Sequence, residues 1–150
     1  MPRGLIRTTA AIALLTTASV TAQTPSQAAT APIRAVATIT QLHEGMIKPA
    51  SDAIFNVARR APADTEDWEA LRRSAITLAE TGNLLMLGSR ARDRGRWMKL
   101  SRDLIDVSAR AATAASGRDL DLLLTTADRL VEVCESCHVR YRKRTNTAPK

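Results

Sequence analysis

Three short interruptions, RAPAD at 60–64, SRARDRGR at 89–96 and ASGRD at 115–119, divide the chain beyond Ile33 into four stretches. Each stretch repeats apolar residues at steps of three and four, the period of a helix with one buried face. None alternates as a strand does. The interruptions are too short to carry parallel crossovers and suit helices that run antiparallel to their neighbours. The expected fold is therefore all-α, an up-down antiparallel four-helix bundle.

The first stretch, about Ile33 to Arg60, places Val36, Ile39, His43, Met46, Ala50, Ile54 and Val57 on one stripe. Pro49 cannot donate to the carbonyl of Gly45 and disfavours helical geometry at Lys48, so a kink or break is expected just after Met46. The second begins at Asp64 or Thr65 as a cap, with Glu66, Asp67 and Glu69 at the positive end of the helix dipole, and turns Trp68, Leu71, Ala75, Leu78, Gly82 and Leu85 inward. The third, about Gly95 to Ser116, uses Trp97, Leu100, Leu104, Val107 and Ala111. The fourth, about Asp119 to Arg144, uses Leu120, Leu123, Ala127, Leu130 and Cys134.

With 150 residues the chain can bury one real core but not two. Hydrophobic residues make up 45% of it and aromatic residues 3%, namely Phe55, Trp68, Trp97 and Tyr141. A core so short of large flat groups leaves room for something else at its centre.

Residues 1–22 have Arg3 and Arg7, then an apolar run from Ala10 to Leu15, then small residues at Val20 and Ala22. This is the pattern of an export signal cleaved after Ala22, and the run is shorter than the ~20 residues a membrane span needs. Residues 23–32, with Pro25 and Pro32, read as a flexible leader, and 33–150 as the domain. Cleavage takes away two arginines and no acid, which lowers the formal charge from +7 to +5. Export to the periplasm removes nucleic acid as a partner and leaves acidic proteins, a membrane surface, or no specific partner as the meaning of a basic surface. No integral membrane segment is expected after cleavage.

Near the end stands VCESCHVRYR, with both cysteines of the protein and one of its two histidines. Cys134, Cys137 and His138 fall at i, i+3 and i+4 of the last helix and share one face. Two thiols able to add to the vinyl groups of a haem, beside an imidazole able to reach its iron, form the c-type attachment signature. A redox dithiol of this spacing normally opens a helix after a strand, and there is no strand. A zinc site needs a fourth ligand, for which His43 is the only other histidine. A disulfide between helical i and i+3 positions closes only with strain.

An exported helical chain of this size, with a single CESCH near the end of its last helix, resembles the class II c-type cytochromes, which include cytochrome c′ and its low-spin relatives. The resemblance extends over MIKPASDAIF, PADTEDWEALRRSAITLAETGNLLM and CESCHVRYR. It implies a four-helix bundle around one covalent haem c, with Cys134 and Cys137 as the attachment residues and His138 as the proximal iron ligand. It also implies a carrier of single electrons between redox proteins, and no enzyme.

The opposite face of the iron is open to three readings. Met46 suits an electron carrier, because a thioether favours reduced iron, and its place before the proline resembles the low-spin branch. His43 lies on the same stripe, and periodicity does not choose between the two. With neither, Ala37, Ile39 or Leu42 would cover a five-coordinate haem that binds nitric oxide or another diatomic gas. Arg90, Arg92, Arg94 and Arg96, with Arg140, Arg142, Lys143 and Arg144, surround this end and suit haem propionates or an acidic redox partner as well as plain solvation. No nucleophile, base or carboxylate pair stands out as catalytic, and a homodimer through outer helix faces stays open.

Overall fold

Thr38 starts the first helix. Its hydroxyl accepts from the Gln41 amide at 3.2 Å while the Gln41 side chain accepts from the Thr38 amide at 2.9 Å, a reciprocal cap that satisfies two otherwise free donors. The computed structural model describes residues 33–142. The expected signal peptide and leader, with Lys143 and Arg144, lie outside the described residues. The stripe expected from Val36 begins later, because the chain ahead of the cap is not helical and Val36 is 82% exposed.

From Thr38 the chain runs through α1 (Ile39–Leu42), one π-helical turn (His43–Ile47) and α2 (Lys48–Phe55). The kink or break expected just after Met46 is not a break. Instead the Lys48 amide reaches back five residues to the His43 carbonyl, and Pro49 sits in the first turn of α2. The wider turn relieves the clash between the proline ring and the carbonyl four residues back, so helical backbone continues to Phe55.

Asp64 caps α3 (Thr65–Leu85) by accepting from the Asp67 amide at 2.9 Å, and Asp119 caps α5 (Leu120–Tyr141) by accepting from the Leu122 amide at 2.9 Å. Between them lies α4 (Arg96–Gly117). It ends on Arg118 in the left-handed region, at φ 53°, where the Asp119 amide returns to the Ala114 carbonyl at 2.9 Å. The described residues hold no strand.

The core is aliphatic, as composition requires. Ile54, Ala75, Leu78, Leu104, Ala111, Leu123 and Leu130 are among its buried members. α3 packs along α4, α4 along α5, and α2 against both α3 and α5. At Gly82 α3 and α4 approach closely: a Cβ there would lie 2.5 Å from Ile105 Cγ1 and 2.9 Å from the Ser101 carbonyl oxygen. The buried hydroxyls of Thr81 and Thr126 return to the carbonyls of Thr77 and Leu122, each at 2.6 Å, and so enter the core at little cost.

Candidate functional site

The connection from α3 to α4 fixes the end of the protein where the site lies. Gly88 takes φ 53°, a left-handed conformation that glycine adopts freely. Arg90 then folds inward, only 7% exposed, and donates from Nε to the Ala37 carbonyl at 2.9 Å and from Nη1 to the Leu84 carbonyl at 3.2 Å. One guanidinium thus ties the entry of the first helix to the end of α3. Of the readings open for this basic run, plain solvation does not hold for Arg90, whereas Arg92, Arg94 and Arg96 stay exposed.

Three residues on, Asp93 Oδ1 accepts from the Gly95 amide at 2.9 Å and the Trp97 amide at 3.1 Å, which holds the start of α4. Its other oxygen accepts from the Tyr141 hydroxyl at the end of α5. That hydrogen bond, then those from Trp97 and Gly95, holds the Asp93 carboxyl below the ordinary carboxylate range, and Tyr141 is raised in return. Trp97 donates from Nε1 to the Leu85 carbonyl at 2.8 Å and receives the Tyr141 ring edge-on, with centroids 4.9 Å apart. Sequence reasoning missed this anchor, although Asp-x-Gly just before a helix is a visible signal for the Asp93 turn.

The anchor holds the last turns of α5, which carry Cys134, Cys137 and His138. The structure brings all three together on one helix, each half-buried. Both cysteines are free thiols that pack against the core. Burial, then the neighbouring Cys137 and Glu135, pushes the Cys134 thiol up to about 11, and burial raises Cys137 as well. Reactive redox dithiols have the opposite environment, a helix N-terminus that lowers the pKa. These lie at the negative end of a helix dipole and stay protonated.

His138 is shifted the other way, its pKa lowered by burial first and then by the charges of Arg142 and His43. The imidazole is therefore neutral at pH 7, with a lone pair available to a metal. Facing it from the π turn is the second histidine of the chain. The His43 and His138 ring centroids are 5.5 Å apart and the planes are inclined by 50°.

Met46 lies elsewhere on that turn. It is half-buried and forms one wall of a groove with Gly45, Pro49 and Ala50, opposite Ala70, Arg73, Ser74 and Thr77 of α3. Residues three apart are separated by about 60° around an α-helix, but by more around a wider turn, so His43 and Met46 do not share a face here.

The donor set suits a porphyrin iron better than a bare ion. Among the described residues no three His, Cys, Asp or Glu side chains converge as metal ligands, which leaves a tetrahedral zinc site without its ligands. A porphyrin brings four nitrogens of its own and asks the protein for one or two. Comparison with protein-family models, with curated proteins and with solved structures finds no match to the chain.

Proposed function

We propose that this chain is an exported monohaem c-type cytochrome of the class II kind, a carrier of single electrons between protein partners and not an enzyme. The observation that carries the proposal is the face of α5 on which two protonated, unpaired thiols stand beside a neutral imidazole at the spacing of the c-type signature. In this reading Cys134 and Cys137 hold the vinyl carbons as thioethers, His138 holds the iron, and the bound haem c supplies the one-electron couple.

The rest of the chain fits that task. The first helix, α3, α4 and α5 form an up-down antiparallel bundle, a reading supported by the contacts of α2 with α3, α3 with α4, α4 with α5 and α5 with α2. A haem against the thiols would give an aromatic-poor core its large flat body. The hydrogen bond from Tyr141 to Asp93 draws exposed Arg140 and Arg142 toward exposed Arg92 and Arg94, and this basic end beside CESCH suits an acidic redox partner. Among the described residues no helix is long and apolar enough to cross a membrane. Periplasmic export rests on the first 22 residues.

The test is production in cells that carry out c-type maturation, followed by absorption spectra of the oxidised and reduced protein. Sharp reduced bands of a covalent haem, lost when both Cys134 and Cys137 are replaced by Ala, are the expected result. A colourless wild-type protein overturns the proposal.

A further inference from the structure

We infer that His43 is the second axial ligand, so that the iron is held between His43 and His138 and Met46 takes no part in its coordination. The inference rests on the cytochrome reading and extends it to the face on which carrier and gas-binding functions diverge.

Two observations carry it. The first is the pairing of the two imidazoles: His43 and His138 stand 5.5 Å apart, centroid to centroid, where the first helix comes against α5. Two imidazoles whose nitrogens each lie about 2 Å from one metal have centroids about 6 Å apart. The rings need part by less than about 1 Å to seat the iron on the line between them. The second is the π turn. It lies over His43–Ile47, with the Lys48 amide bonded to the His43 carbonyl, and it rotates Met46 away from His43 toward Ala70, Ser74 and Thr77 of α3. An insertion of this kind within an α-helix is often found at a functional site. Here its effect is to select one of two side chains that a regular helix would present together.

The consequence is chemical. With an imidazole on each side the iron has no open position for a diatomic gas, and the electron carrier is favoured over the gas binder. Nitrogen ligation also lacks the preference for reduced iron that a thioether brings, so the potential lies below that of a His–Met haem.

The experiment uses the full chain, matured with haem, and reads spin state and carbon monoxide binding for the wild type, His43→Ala, His43→Met and Met46→Leu. The wild type and Met46→Leu should both be low-spin when oxidised, without the sulfur-to-iron charge-transfer band, and slow to bind carbon monoxide. His43→Ala should turn high-spin and bind carbon monoxide readily, and added imidazole should restore the low-spin spectrum. His43→Met should gain the sulfur band and a higher potential. A low-spin His43→Ala, or loss of the low-spin state in Met46→Leu, overturns the inference, as does a wild type that is already high-spin. In each of those results the haem remains covalently bound and the cytochrome reading stands; a chain that retains no haem after denaturation overturns both.

Discussion

Tyr141 donates its hydroxyl hydrogen bond to Asp93, 48 residues earlier in the chain, and so pins the end of α5 to the turn that starts α4. Because His138 lies one turn before Tyr141, the anchor fixes the last turn of the CESCH helix. Tyr141→Phe should keep the ring on Trp97 but release the hydroxyl. Amide hydrogen exchange should then speed up over the last turn of α5 while α3 keeps its protection; unchanged exchange there contradicts the anchor. The contact also depends on pH. Asp93 has a folded pKa below its ordinary value, so its contribution is complete above the ordinary carboxylate range and is lost as pH falls through that range to the lower folded value. Acid unfolding of Asp93→Asn should therefore depend less steeply on pH than that of the wild type.

Gly82 shows sterics outweighing propensity. Alanine is the better helix former by about 1 kcal/mol. Its Cβ would nevertheless lie 2.5 Å from Ile105 Cγ1 and 2.9 Å from the Ser101 carbonyl oxygen. Gly82→Ala should destabilise the protein by about 1–3 kcal/mol in urea unfolding. Ile105→Ala in the same chain removes the first clash and not the second, so it should relieve only part of the strain.

Arg90 is buried and serves two backbone carbonyls, those of Ala37 and Leu84. Removing it takes the side-chain donor from both carbonyls in a part-buried site, and Leu84 keeps its bond from the Leu87 amide. Arg90→Ala should cost roughly 2–3 kcal/mol, with Arg90→Lys nearly as costly because one ammonium cannot span the two acceptors. Equal thermal stability of Arg90→Lys and wild type would show that the bidentate geometry contributes nothing.

Ser108 presents the reverse case. It is fully buried in α4, and its hydroxyl finds no hydrogen-bond partner among the described residues. Ser108→Ala removes the unsatisfied group and improves helix propensity, and should stabilise by about 1 kcal/mol. A lowered melting temperature would point to a partner bound at that hydroxyl.

Much of this was legible in the residues. Apolar steps of three and four located α3, α4 and α5, Asp64 or Thr65 marked the cap of α3, and CESCH marked the candidate site. Local signals carried each of these. What the stripe could not show was the backbone under it. Val36 matched the period of the first helix but precedes the Thr38 cap, and the π turn separates His43 and Met46, which a regular period places together. Arg90 was equally opaque, because its burial depends on carbonyls 53 and 6 residues away in the chain.

Covalent haem is the central claim, and the mass of the unfolded polypeptide tests it most directly. Protein from cells that carry out c-type maturation should, after denaturation and reduction, weigh as much as the chain plus one haem, and Cys134→Ala/Cys137→Ala should weigh as the chain alone. A wild-type mass equal to the bare polypeptide under the same maturation would contradict the account.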